Sequence, residues 1–181
     1  EWFLSDHLVV WMMNPSVTQI ADAHFLFEAQ HNGSHLTVID PQYTATAIHA
    51  DTWLPIATGT DAALALAVAR HIWDSGRLAV DYVREQSDFP LLVRLDSGRF
   101  LRGRDVLSDT DGGRKDNVLF LWNPDAGRPE EAPGSEGADS GRLVVEGFVP
   151  PIEGVFEATL RDGSRIHVST VGSLLKEHLE P

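Results

Sequence analysis

The chain contains no cysteine. That absence excludes structural disulfides, thiolate zinc sites and iron–sulfur clusters held by these residues. It leaves the redox compartment open, because a cysteine-free chain is stable in either. No run of 18 apolar residues occurs, so no membrane insertion is expected. The opening Glu1-Trp2-Phe3-Leu4-Ser5-Asp6-His7 has no basic region and no long apolar stretch, and does not read as a signal peptide. Basic side chains are scarce, with 14 Lys and Arg against 27 Asp and Glu and a formal net charge of −13. Such a surface repels a phosphate backbone, so neither nucleic acid nor an anionic membrane is an expected partner. A mononucleotide or dinucleotide stays possible, since backbone N–H groups and helix ends hold it regardless of net charge. No Gly-x-Gly-x-x-Gly occurs, so the usual dinucleotide fingerprint is missing. What is present is an ordinary globular composition, 43% hydrophobic and 23% charged over 181 residues. That is the length of one domain, or one and a fraction.

The first 75 or so residues alternate strand and helix patterns. Leu8-Val9-Val10-Trp11-Met12 is a continuous apolar run of strand length, which predicts a strand buried on both faces and stopped by Asn14-Pro15. Ile20, Ala23, His24 and Phe27 recur at helical spacing over residues 18–31, and Asn32-Gly33 supplies the stop. Leu36-Thr37-Val38-Ile39 reads as a second strand ending at Asp40-Pro41, and a short helical turn fits residues 44–49. Trp53-Leu54-Pro55-Ile56 reads as a third strand. Thr58-Gly59-Thr60-Asp61 then opens a long helix over 62–73, with Thr60 as N-cap, Asp61 favourable to the dipole and Gly76 as stop. That helix is apolar almost all round, which predicts burial on more than one side. Strand–helix–strand alternation with short loops implies a parallel sheet with right-handed crossovers.

Beyond residue 80 the pattern changes. A short helix is expected over 80–87. Leu91-Leu92-Val93-Arg94-Leu95 and Arg99-Phe100-Leu101 flank a turn at Asp96-Ser97-Gly98. Residues 108–116 are polar and Gly-rich, and 118–122 form a strand. Residues 123–142 hold four Gly, three Pro and several acids, and read as a mobile surface loop. Asp162-Gly163 marks a hairpin between 154–160 and 165–169, and a terminal helix fits 171–179. The expected fold class is α/β: a Rossmann-like parallel sheet flanked by helices, with a β-rich C-terminal extension. The expected division is a core over 1–105, a polar loop region over 106–142, and a hairpin with terminal helix over 143–181.

A parallel sheet gathers the loops at the carboxyl ends of its strands, where ligands of open α/β sheets sit. Those loops are residues 14–18, 40–44 and 58–61. Asp40 is placed to accept hydrogen bonds from a ribose or base, and Asp61 to accept the N1–H and N2–H₂ donors of guanine. The structural alternatives are a strand-ending turn for Asp40 and a first-turn dipole partner for Asp61, and spacing alone leaves both open. Asp22-x-His24 and His49-x-Asp51 lack a recognised metal-ligand spacing. Ser97 and Ser164 sit in turns without a nucleophile elbow. The five Trp read as packing residues, with Trp11 at the edge of the ligand loops.

These stretches follow one known order. Val10-Trp11-Met12-Met13-Asn14-Pro15-Ser16-Val17-Thr18, Ile39-Asp40-Pro41-Gln42-Tyr43-Thr44, Ala47-Ile48-His49-Ala50-Asp51-Thr52-Trp53-Leu54-Pro55-Ile56 and Gly59-Thr60-Asp61-Ala62-Ala63-Leu64-Ala65-Leu66-Ala67 resemble the catalytic subunits of the dimethyl sulfoxide reductase family of molybdopterin oxidoreductases. Leu91-Leu92-Val93-Arg94-Leu95-Asp96-Ser97-Gly98-Arg99-Phe100-Leu101-Arg102 is similar to the branch with ethylbenzene and dimethyl sulfide dehydrogenases and selenate, chlorate, perchlorate and nitrate reductases. The resemblance is close over residues 5–105 and looser beyond.

The resemblance implies a cofactor, molybdopterin guanine dinucleotide carrying molybdenum in the full-length parent, with this segment gripping its nucleotide end. By position, Trp11, Asn14, Pro15 and Thr18 would line pyrophosphate and ribose. Asp40, Pro41, Tyr43 and Thr44 would line the guanosine, and Gly59, Thr60 and Asp61 the guanine edge. The family often has Gly where this chain has Met12, so where the backbone must approach the phosphates a side chain at 12 would obstruct unless it points into the core. The family's iron–sulfur cysteines and metal ligand precede this segment, so no catalytic or metal-ligating residue is expected here and the segment is not catalytic alone. The implied partners are the remaining domains of the parent subunit and an iron–sulfur electron-transfer subunit. The resemblance favours a periplasmic over a cytoplasmic location. The competing expectation is a free-standing α/β module that binds a different nucleotide or a protein.

Overall fold

In the computed structural model, which describes residues 2–134 and 145–179, β1 (His7–Trp11) pairs in parallel with β2 (His35–Ile39), and β2 in parallel with β3 (Thr52–Leu54). The spatial order is β1-β2-β3. The chain divides into two compact units, Glu1–Leu66 and Ala67–Pro181, each with its own core. The first unit is the parallel α/β arrangement its sequence predicts. Its core gathers Val10, Leu26, Leu36, Val38 and Ala47, with Leu8, Phe27, Ala50 and Trp53 packed against them.

Burial on both faces belongs to β2, not to β1 as the apolar run at 8–12 predicts. Leu36, Thr37, Val38 and Ile39 are all buried, whereas in β1 only Val10 is, and Val9 is 55% exposed. The physical reason is position: β2 is central, and β1 pairs along one edge alone.

The helix predicted over 18–31 forms at 20–31, and a short helix that the pattern did not predict precedes it. This short helix, α1 (Pro15–Thr18), starts on Asn14, whose carbonyl accepts from the Val17 and Thr18 amides and from the Thr18 hydroxyl. Pro15 suits the first helical position because its missing N–H would be unsatisfied there anyway. Gln19 leaves helical geometry, and α2 (Ile20–His31) resumes with Ala23, Leu26 and Ala29 buried. Ile20, expected on the buried face, is exposed. The end of α2 is as expected: Gly33 has φ 104°, its amide bonds to the Gln30 carbonyl, and the Ser34 amide bonds to that of Ala29. A 3-10 turn, Ala47–His49, stands where the short helical turn is predicted.

The long helix forms as α3 (Asp61–Asp74), and Gly76 closes it with φ 67°, the Gly76 amide on Trp73 and the Arg77 amide on Ile72. Two expectations for it change. The Thr60 carbonyl does accept the first helical bond, from Leu64, but its hydroxyl donates back to the Ala57 carbonyl and caps nothing. No residue of α3 is buried, and Leu66, Val68 and Ile72 are exposed. An all-round apolar composition reports a need for cover; it does not supply the cover.

The second unit carries α4 (Val80–Gln86), β4 (Leu92–Arg94), α5 (Gly103–Val106), β5 (Phe120–Asn123), β6 (Arg128–Glu131), β7 (Val155–Thr159), β8 (Arg165–Thr170) and α6 (Val171–Leu179). Its sheets are antiparallel, β4-β8-β7 and β5-β6. Because β4 pairs with β8, residues 92–101 pack with the C-terminal hairpin. The core includes Leu92, Leu101, Phe120, Trp122 and Val168, and Trp122 stacks on Phe156 with centroids 4.5 Å apart. The predicted hairpin is tied at its turn by Asp162, which accepts from the Ser164 amide and hydroxyl. Residues 123–142 are not all loop. Asn123 Oδ1 accepts from the amides of Asp125 and Ala126, Gly127 turns with φ 63°, and the chain returns as β6. The acids of that return strand are used: Asn123 donates to Glu130 and Lys115 to Glu131. The remainder of that expectation, 135–142, lies outside the described residues.

Candidate functional site

The carboxyl ends of β1 and β2 lie side by side, since Trp11 is the register partner of Ile39, the residue before Asp40. The chain leaves β1 by an abrupt turn. The Met12 amide still bonds to the Ile39 carbonyl at 2.9 Å, but Met12 has φ 53°, with its side chain 48% exposed. Met12 is therefore half-exposed and does not join the core, so the condition that would keep its side chain out of the way of phosphates is not met.

One buried hydroxyl joins the first two loops. Thr46 is 0% exposed, and its hydroxyl and amide donate to Asn14 Oδ1 at 2.8 and 3.2 Å. The same Oγ1 lies 3.0 Å from Ser16 Oγ and accepts from the Ser16 amide at 3.1 Å. Asn14 is thus fixed by a partner that the sequence does not reveal, because a buried Thr and an exposed Thr look alike in a loop. Pro15 is buried, and Thr18 is exposed with its hydroxyl on the Asn14 carbonyl.

Asp40 is nearly buried, at 9% exposure, and its Oδ1 accepts from the Gln42 amide at 2.8 Å. That oxygen builds the turn after β2. The Asp40 carbonyl accepts from Trp53 Nε1 at 3.0 Å, and Tyr43, exposed, meets the Trp53 ring edge-on at 4.9 Å. Pro41 lies partly covered between them, and Thr44 Oγ1 accepts from the Ala47 amide to start the 3-10 turn. Trp53 is a second residue that sequence reading left as packing alone.

The third loop meets the first through side chains. Trp11 Nε1 donates to Asp61 Oδ1 at 2.7 Å across fifty residues of sequence. Gly59 and Thr60 are exposed, and Gly59 takes φ 86° to bring the chain into α3. Asp61 stands in the first turn of α3, where N–H groups lack helical acceptors.

Asp51, part of the His49-x-Asp51 pattern, is occupied structurally. It accepts from the Leu36 amide at 2.7 Å and from Gln30 Nε2 at 3.1 Å, and these bonds, the Leu36 one first, hold its carboxyl below the ordinary range. Among the described residues no three His, Cys, Asp or Glu side chains group as metal ligands. A cleft of about 470 Å³ in the second unit is lined by Arg84, Pro90, Leu121, Phe148 and Pro150 among others. It gathers no strand-end acids. Arg84 is engaged by Asp81 and the Pro150 carbonyl.

No family model matches the chain. It is 39% identical over 181 residues to chlorate reductase subunit alpha of Ideonella dechloratans, a match covering 100% of this chain and 19% of that subunit. It is 38% identical over 185 residues to respiratory nitrate reductase subunit alpha of Haloferax mediterranei, covering 99% and 19%. With dimethylsulfide dehydrogenase subunit alpha of Rhodovulum sulfidophilum the identity is 36% over 156 residues, covering 86% and 17%. The chain belongs to the dimethyl sulfoxide reductase family. It corresponds to one segment of the family's alpha subunits and spans about a fifth of the length of these relatives. No helix among the described residues is long and apolar enough to cross a membrane.

Proposed function

We propose that residues 1–66 bind the guanosine end of a molybdopterin guanine dinucleotide within a molybdenum oxidoreductase catalytic subunit. The observation that supports this most is the Asp61 carboxylate, fixed on one oxygen by Trp11 in the first turn of α3. Its Oδ2 has no hydrogen-bond partner among the described residues. A carboxylate accepts bidentately, so Asp61 suits the adjacent N1–H and N2–H₂ donors of guanine, which adenine does not offer. Asp40 uses Oδ1 for the turn that carries Tyr43 and Thr44, and contributes Oδ2 toward a ribose hydroxyl. Asn14, locked by Thr46, holds the first loop beside the pyrophosphate, and Gly59 and Thr60 flank the base.

The residues present fit the nucleoside better than its phosphates. Residues 1–69 contain no Lys or Arg, against Glu1, Asp6, Asp22, Glu28, Asp40, Asp51 and Asp61. Phosphates would find backbone N–H groups there and no cationic side chain. When bound, the cofactor would supply the molybdenum centre for redox chemistry; these residues bind and orient its far end. The rest of the parent subunit would carry the metal ligand and cysteines, an iron–sulfur subunit would exchange electrons with it, and a periplasmic location accords with the family branch.

Asp61→Asn is the direct test. A hydrogen bond to a charged group is worth about 1.5–3 kcal/mol, so the substitution should weaken guanosine binding by roughly one to two powers of ten. Adenosine binding, measured by the same calorimetric titration, should stay unchanged. Equal effects on both nucleosides contradict the assignment.

A further inference from the structure

Asp61 sits on a helix with no buried residue. The hydrogen bonds of residues 55–66 are otherwise local: the Thr60 amide and hydroxyl return to Ala57, and Leu64 returns to Thr60. Among the described residues, the bond from Trp11 Nε1 to Asp61 Oδ1 is the one that ties this stretch to the sheet. At the other end of that bond the Trp11 backbone is part of the sheet. It closes β1 in register with Ile39, and the next amide, that of Met12, is also held by Ile39.

We infer that Trp11 is a positioning residue that sets guanine selectivity through Asp61, its indole N–H fixing the carboxylate so that the remaining acceptor sites face the base edge. This revises the role that family position implies for Trp11, contact with pyrophosphate and ribose. It rests on the guanosine reading above and adds the specificity device to it. The indole takes one lone pair of Oδ1, and a carboxylate offers about four acceptor sites. Held this way, Asp61 loses rotamer freedom before the ligand arrives and not on binding, which favours the matching base over a non-matching one.

The test replaces Trp11 in the 181-residue chain by Phe and, separately, by 3-benzothienylalanine, which keeps the bicyclic shape and lacks the N–H. Each is made with Asp61 intact and with Asp61→Asn. The readouts are the ratio of guanosine to adenosine affinity and the indole N–H resonances of the five Trp. The expected result is a roughly tenfold fall in the ratio for both Trp11 variants, and no further fall in the Asp61→Asn background. Asp61→Asn alone should shift one indole resonance, the one missing from the Trp11 variants. A wild-type preference for guanosine that survives loss of the N–H overturns the positioning role and leaves the guanosine reading standing. A fall that persists in the Asp61→Asn background also overturns it, by making Trp11 act through packing or direct contact. No guanosine preference in the wild type overturns both.

Discussion

Met12 carries φ 53° with an exposed side chain. A left-handed backbone costs a non-glycine residue about 1–2 kcal/mol, and a half-exposed side chain offsets that cost only in part. A glycine at this place would have a backbone reason, then, beyond clearance for a ligand. Met12→Gly should raise the stability of the first unit by up to about 1 kcal/mol, less what glycine's flexibility adds to the unfolded chain. Met12→Val, β-branched, should lower it by a similar amount. Hydrogen exchange of the β2 amides reports this unit separately from the other, and destabilisation by glycine would show that the methionine side chain packs. Asp51 makes a pH prediction. Its folded pKa is depressed, chiefly by the Leu36 amide and then by Gln30. The stability it contributes is present above the ordinary carboxylate pKa and lost as pH falls through the depressed folded value. Asp51→Asn should therefore cost most near neutrality and progressively less in acid. A cost independent of pH would remove the charge from the argument.

At the level of elements, periodicity and turn chemistry locate most of the fold, and burial is where they stop. Gly33 and Gly76 end their helices as read, Asp162-Gly163 makes its hairpin, and α6 runs over the predicted residues. The run 8–12 and the helix 61–74 look equally apolar, but one lies on a sheet edge and the other has no buried residue, its Trp73 alone stacking on Phe89. Sequence reports which residues tolerate burial; neighbours decide which receive it. The site divides the same way. Asp40 and Asp61 are visible because an acid after a strand or at a helix start has a reason to be there. Thr46 and the Trp11 link are invisible because they depend on contacts 32 and 50 residues away. If α3 is exposed in this chain, Leu66→Gln, Val68→Gln and Ile72→Gln should each change its stability by less than about 0.5 kcal/mol, as at ordinary surface positions. Urea unfolding measures this, and a loss of 2 kcal/mol or more at any of them would mean that α3 is packed.

Over the whole molecule, charge and function pull apart. The formal net charge is −13, and the first 69 residues hold no Lys or Arg. Yet the family to which the chain belongs implies a ligand with phosphates. The two agree if this segment takes the nucleoside and phosphate charge falls to backbone N–H groups and to the remainder of the subunit. Binding by the isolated chain should then need no phosphate. The most direct test is an amide chemical-shift titration of the 181-residue chain with guanosine and, in parallel, adenosine. Guanosine should shift amides gathered on residues 12–16, 40–44 and 59–62, with a much weaker response to adenosine. Equal responses to the two nucleosides, or shifts confined to the second unit, would contradict the guanosine assignment.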